Sequence, residues 1–353
     1  MSNLLPILAL LGFGFALTLL IRRGVLSQRR ADLVQLAHRG TVAEAGIAAK
    51  VLRTVRVRNL AALTVAVLAG TSAIYLYQAF PRANGLQLVA APIGVWILVV
   101  IVFVLCPIPY DLTSAEEAEG ARVSADLTPR STGMFGPAWG IIVPGVMLAA
   151  TIIGLLAAGI ASSPDEQGRY RMLHFVSASG ARLDENMKVT QALSGEGLTG
   201  PFPGWYYGIP LLVLLVLAAF LTLWALNINA RRPSLRSTSL QGFDNAVRTH
   251  NAYVLSTGFS AMLCVQLLPL LVMAATAIYN AGYTEIFVVG EIYANGALPE
   301  TSTDPWHAAL ALTLAGLGLL LLVVGVMLLG QLAGWIAPTF RAMDEKLGDG
   351  ATR

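Results

Sequence analysis

The chain has 353 residues, is 56% hydrophobic and only 12% charged, and carries a net charge of +3 with a mean hydropathy of +0.68. Soluble domains hold roughly 25% charged residues, so this composition leaves no room for a large soluble domain and points to a membrane protein. The two cysteines, Cys106 and Cys264, fall in or beside apolar runs and read as packing residues rather than an exported disulfide.

A helix crosses the hydrocarbon layer with about 20 mostly apolar residues. Seven stretches qualify: Leu4–Ile21, Leu60–Phe80, Leu86–Ile108, Ala138–Ala161, Tyr206–Leu226, Tyr253–Tyr279 and Ala308–Ile336. None contains Asp, Glu, Lys, Arg or His. Within lipid every backbone group must be paired internally, so such runs are helices, whereas a barrel would show short alternating segments. The expected fold is an all-α integral membrane protein of about seven transmembrane helices, forming one polytopic domain over residues 1–353. Met1 to Asn3 carry no charged side chain, and the basic pair Arg22-Arg23 follows the first apolar run. That order is the reverse of a secretory signal, so the first run is expected to be an uncleaved span with its N-terminus outside.

On this seven-span layout, eighteen of the 23 Lys and Arg residues fall on one face, and nine of them lie between Arg22 and Arg58. The other face holds five: Arg82, Arg169, Arg171, Arg182 and Lys188. Positive charge marks the cytoplasmic side, so the C-terminus is expected in the cytoplasm and the protein in the cell membrane.

The connecting segments carry local signals. Residues 22–58 form a basic cytoplasmic segment in which Thr41 and Glu44 fit a capping box. A helix starting there runs through Lys50, Arg53 and Arg56 into the second span, beside anionic headgroups. The segment after the third span is acidic, with Glu116, Glu117 and Glu119, and reads as a solvated loop. Outside, residues 162–204 and 281–307 are expected to form a small extracytoplasmic cap. Tyr170 to Val176 alternates weakly and ends in Ser-Ala-Ser-Gly, which suggests a strand entering a turn. Glu285–Val289 is a second strand candidate, able to join the first in a small sheet. Pro203-Gly204-Trp205-Tyr206-Tyr207 re-enters the membrane with aromatics suited to the interface. Asp304-Pro305 reads as N-cap and first helical residue of the last span.

The chemistry of the chain is sparse. Ion-coupled transporters place carboxylates, histidines or basic residues inside the spans, and here the spans have none. The sequence contains no GxxxxGK[ST], GxSxG, HExxH or CxxC pattern. No catalytic, cofactor-binding or metal residues are therefore assigned, and no nucleic-acid partner is expected. His38 and His250 fall on the inner side, His174 and His307 on the outer, and no pair has ligand spacing within one helix. His174 and His307 have one chance to converge, with Asp304, across the outer loops. Ser256 and Ser260 lie at a depth suited to an intramembrane nucleophile, but no His or Lys shares their layer. Pro92, Pro144, Pro210 and Pro269 interrupt apolar runs. Gln266, one turn before Pro269, is a candidate intramembrane polar site. It can line a cavity or bond a neighbouring helix. The small-residue stretches Gly154 to Gly159 and Gly316 to Gly325 mark close helix packing.

The approach to the sixth span, Gly242 to Tyr253, places Asp244 and Arg248 four residues apart, on one helix face as an ion pair. It reads as an amphipathic helix start at the cytoplasmic surface. Arg231, Arg232, Asp244, Arg248 and His250 are candidates for docking a cytoplasmic partner. Asp244-Asn245-Ala246-Val247-Arg248 followed by Asn251-Ala252 and Leu255 resembles a pattern in uncharacterised multi-span membrane proteins of actinobacterial type. The stretch Pro203–Pro210 and the basic segment before the second span are similar to theirs too. Asn245 and Asn251 depart from the Asp and Ser of that pattern. The resemblance covers three short patches and implies association with ABC transporters, hence an ATPase or other transport subunit as the expected partner. The leading expectation is a non-enzymatic, accessory or permease-like component of a transport complex, with membrane lipid as its surroundings. The alternatives are an envelope sensor that uses its extracytoplasmic loops and a membrane-lipid enzyme.

Overall fold

A computed structural model of the chain describes residues 42–80, 83, 85–109, 135, 139–183, 189–235, 240–289 and 300–341. The expected first span Leu4–Ile21, the cap residue Thr41, His38 and the acidic residues Glu116, Glu117 and Glu119 lie outside these. Among the described residues are six helices: α1 (Val42–Ala79), α2 (Leu86–Leu105), α3 (Trp139–Ala161), α4 (Trp205–Arg231), α5 (Gln241–Gly282) and α6 (Pro305–Arg341). All six are long and apolar enough to cross a membrane. Pro92, Pro144, Pro210 and Pro269 sit inside α2, α3, α4 and α5 respectively.

The helices expose large apolar side chains along much of their length. Leu63, Val67 and Leu68 of α1, Ile142 and Val146 of α3, Val213 and Phe220 of α4, and Leu312 and Leu320 of α6 are all exposed. Water would penalise such continuous apolar surface at roughly 25 cal/mol per Å², whereas lipid tails do not. The 38 residues of α1 and 42 residues of α5 extend about 57 and 63 Å at 1.5 Å per residue, well beyond the ~30 Å hydrocarbon layer. Both helices therefore contain polar turns outside an apolar window. In α1 these hold Lys50, Arg53 and Arg56, and in α5 Asp244 and Arg248.

The chain divides into two compact units. One comprises Met1–Leu148, Leu214–Cys264 and Val323–Arg353, the other Ala149–Val213 and Val265–Leu322. In the first unit, α1 packs along α2, and one apolar core gathers Ala48, Val51 and Val55 of α1 with Ile108, Leu235, Leu240, Phe243 and Val247. The start of α1 thus packs on the α4–α5 connection. Trp96 of α2 lies against the bare Cα of Gly258 in α5, where an added Cβ would strike the indole. The indole N–H donates to Thr222 Oγ1 of α4 at 2.9 Å. Cys264 is buried, Cys106 is half-buried, and both are free thiols.

The second unit carries a five-stranded sheet built from β1 (Ser162–Pro164), β2 (Tyr170–Leu183), β3 (Val189–Thr199), β4 (Tyr283–Val289) and β5 (Glu300–Thr303). Strand β2 pairs antiparallel with β3 along one edge. Its other edge is shared by β1, antiparallel near Leu173, and β4, parallel at Gly180–Arg182. Strand β5 closes the order against β4. The two expected strands exist and share this sheet, but the expected turn at Ser177-Ala178-Ser179-Gly180 does not form. Strand β2 continues to Leu183, and the small residues are absorbed as a register shift between Ala178 and Gly180, where a bulge tolerates an extra residue. At the start of α4, Tyr207 is buried and meets the Tyr206 ring edge-on, while Trp205 and Tyr206 are half-buried. Of the small-residue stretches, Gly159 packs against the Trp205 indole and Gly318 lies near Leu268 and Leu271, while Gly154 and Gly316 have open space beside them.

The turn between β1 and β2 is organised by one carboxylate. Asp165 Oδ1 accepts the backbone N–H groups of Gln167 and Arg169, both at 2.9 Å. Its Oδ2 accepts Arg169 Nε at 2.9 Å and Arg171 Nε at 2.5 Å. Gly168 completes the turn with φ of 75°, a left-handed value that favours glycine. Burial pushes the Asp165 carboxyl up, but the hydrogen bonds from Arg171, the two backbone N–H groups and Arg169 outweigh it and hold it well below the usual carboxylate range.

Two outcomes follow from this packing. Gly258→Leu should destabilise the protein by about 1–3 kcal/mol through overpacking against Trp96, read as a lower midpoint of thermal unfolding in detergent. Gly70→Ala in α1, with open space beside it, should leave the midpoint unchanged or slightly raised. For Asp165, a depressed folded pKa means a contribution present above the unfolded value, about 3.9, and lost as pH falls through the lower folded value. The stability gap between the parent and Asp165→Asn should therefore be full at pH 7 and shrink steadily below about pH 4.

Candidate functional site

Helix α4 ends at Arg231, two residues before Pro233. Its last carbonyls have no partners within the helix, and in an apolar setting each such group left unpaired is costly. Arg248 of α5 supplies the donors. Its Nη1 donates to the carbonyls of Asn229 at 3.1 Å and Ala230 at 2.8 Å. Its Nη2 donates to those of Arg232 at 2.8 Å and Pro233 at 3.1 Å. A guanidinium carries five N–H groups in a fixed fork, and here the fifth, Nε–H, goes to Asp244 Oδ2 at 2.8 Å. The expected i,i+4 pair between Asp244 and Arg248 thus forms, but both side chains are within 2% of full burial. The cation also sits where the α4 dipole is negative, and the Phe135 ring lies 5.5 Å from the guanidinium carbon.

The other oxygen of Asp244 accepts Arg232 Nη2, so one carboxylate bridges two guanidinium groups. A chain of amides leads away from this junction. Asn229 Nδ2 donates to the carbonyl of Arg248 at 2.9 Å, and Asn251 Nδ2 donates to Asn229 Oδ1 at 2.9 Å. Arg58 Nη2 of α1 then donates to Asn251 Oδ1 at 2.5 Å. Arg58 in the middle of α1, the end of α4 and the first turns of α5 are tied by polar groups at one place. The Arg58 guanidinium carbon lies over the Phe103 ring of α2, 4.2 Å from its centroid. Beside it opens a cavity of about 670 Å³ lined by Arg58, Arg231, Arg232, Asn229 and Asn251, with Phe103, Ile108, Ile228 and Leu255 among its apolar walls.

The sequence-derived docking candidates are therefore divided. Arg232, Asp244 and Arg248 meet in the buried junction, and Arg231 remains exposed at the cavity. His250 is buried too, 6.1 Å from the Trp335 ring that stacks on Tyr253. Its ring nitrogens have no hydrogen-bond partner among the described residues. Gln266 is fully buried and belongs to the other unit. Ser256 and Ser260 donate to the carbonyls of Tyr253 and Ser256 in their own helix. His174 faces Glu196 at 3.5 Å, whereas His307 bonds Asp304. Asp304 caps α6 by accepting the N–H of His307 at 3.3 Å, ahead of Pro305, and the His307 ring holds its carboxyl below the usual range. Among the described residues no group of three or more His, Cys, Asp or Glu could hold a metal ion.

Arg58, Asn229 and Asn251 escaped the sequence-derived site. Each is a polar residue at the boundary of an apolar run, and those boundaries belong to the start of one span, the end of another and the start of a third. Comparison with protein families, curated proteins and solved structures finds no match to the chain.

Removing one member of a buried charge pair leaves the other uncompensated, at a cost of about 3–5 kcal/mol. Asp244→Asn should lower thermal stability on that scale. Arg248→Lys should also be strongly destabilising although it keeps the charge, because an ammonium has three donors and no fork to span four carbonyls. Thermal unfolding of the purified variants in one detergent tests both; Arg248→Lys with parental stability would contradict the capping role.

Proposed function

We propose that the chain is a non-enzymatic, multi-pass component of the cell membrane, accessory to or part of a transport complex, with the junction around Arg248 on its cytoplasmic side. The observation that supports this reading is the buried tie between α4 and α5. An element that passes force to or from a partner must be fixed to the spans that follow the motion, and Arg248 holds the end of α4 through four carbonyls while Asp244, which accepts its Nε–H, also engages Arg232. The burial of Asp244, Arg248 and His250 changes what a partner would touch. These side chains brace the segment from within, while Arg231, Gln241, Gly242 and Asn245 face outward. The excess of basic residues on this side supports a cytoplasmic placement. The patches resembling actinobacterial-type membrane proteins associated with ABC transporters support an ATPase as the partner.

The five-stranded sheet supports a second reading, an envelope sensor that binds extracytoplasmic ligands through residues 162–204 and 281–307. Purification of the tagged protein from its native membrane under gentle conditions separates the two. A stoichiometric ATPase subunit is expected, and it should be lost when Arg231→Glu and Asn245→Trp are combined in a chain that still folds. A protein recovered alone would sink the transport-complex reading and favour the sensor.

A further inference from the structure

We propose that the cavity beside Arg58 and Arg232 is a binding site for a phosphate group carried by an amphiphile, an anionic lipid being the natural source. Among the described residues, three buried or nearly buried arginines, Arg58, Arg232 and Arg248, lie near one buried carboxylate, Asp244. Arg248 and Arg232 both bond that carboxylate. Among the described residues no acidic side chain pairs with Arg58, which is 3% exposed. Its Nη2 donates to a neutral amide, and its Nε–H has no partner among the described residues. A buried cation without a counter-charge is costly, and an anion entering the adjoining cavity removes that cost.

The surroundings specify the anion further. Arg58 is held by the Phe103 ring below it and by Asn251, whose amide is itself oriented by Asn229. A fixed guanidinium fork matches the oxygens of a phosphate in paired hydrogen bonds. The volume of about 670 Å³ is that of a small-molecule site, for which roughly 300–1,000 Å³ is usual. Its walls are mostly apolar, with Phe103, Val104, Ile108, Ile228 and Leu255 beside the cationic end. A phosphate joined to hydrocarbon fits both parts, whereas inorganic phosphate uses only the charged part. This site stands on the geometry of one unit and does not depend on a transport partner.

The full-length protein in a neutral detergent would be titrated with three probes and read by native mass spectrometry. The probes are dioctanoyl phosphatidylglycerol, dioctanoylglycerol with the same chains and no phosphate, and inorganic phosphate. Phosphatidylglycerol is expected to bind as a single copy, with dioctanoylglycerol weaker by about ten-fold or more, the scale of a lost charged hydrogen bond. Inorganic phosphate that displaces the lipid at comparable concentration would assign the site to a soluble phosphate and exclude the lipid source. Arg58→Gln should weaken phosphatidylglycerol binding about ten-fold or more. Ile228→Trp, at a half-exposed wall residue, should block the cavity without touching the charge network, and decides the matter if Arg58→Gln does not fold. Equal binding of the two lipids, or a folded Ile228→Trp that binds like the parent, overturns the proposal.

Discussion

Ending a helix inside an apolar protein region leaves carbonyl groups that neither water nor the helix itself can satisfy. In this chain the end of α4 is completed by the side chain of Arg248, reaching from the helix that follows it. Burying that guanidinium would itself be prohibitive without a counter-charge, and Asp244, one turn earlier on the same helix, supplies it. The two requirements meet in one arrangement: the cation satisfies the backbone and the carboxylate satisfies the cation. The rest of the junction follows. Asp244 has a second oxygen, which engages Arg232; Asn229 and Asn251 carry hydrogen bonds outward to Arg58; and Phe243 and Val247, on the same helix as Asp244 and Arg248, enter an apolar core with the start of α1.

The junction also explains how the first unit is put together. Besides the packing of α1 along α2 and the core around Phe243, its helices are joined by two contacts of different kinds. The polar one joins α1, α4 and α5 through Arg58, Asn229, Asn251 and Arg248. The apolar one joins α2 to α4 and α5 through Trp96, which needs the missing side chain of Gly258 and places its N–H on Thr222. Helix association in lipid gains little from hydrophobic burial and relies on such close packing and interhelical hydrogen bonds. In the second unit the sheet and its turn at Asp165 use the ordinary devices of water-exposed structure: a charged cluster, backbone capping and a left-handed glycine.

Six long apolar helices were legible in the sequence because twenty-residue apolar runs admit one structure in lipid, while the expected first run, Leu4–Ile21, lies outside the described residues. The Asp244–Arg248 pair was legible because it is local, fixed by helical spacing. What it does was not, since the four carbonyls it serves lie fifteen or more residues away. For the same reason the sequence suggested a surface ion pair for docking, when burial turns the pair inward. Arg58 and Asn251 are separated by 193 residues, and no periodicity connects them. The continuation of β2 through Ser177–Gly180 was hidden by composition, because small polar residues signal a turn unless a partner strand, here β3, holds them extended.

The most direct test of this account is nuclear magnetic resonance of the arginine side chains, with the protein in lipid bilayers. A guanidinium enclosed by four carbonyls and a carboxylate should keep its Nε–H and Nη–H protons from exchanging with heavy water for hours, and that protected signal should vanish in Arg248→Lys. Arginine side-chain signals that all exchange at once in the folded parent, or protected signals unchanged in that variant, would contradict the claim that Arg248 closes the end of α4.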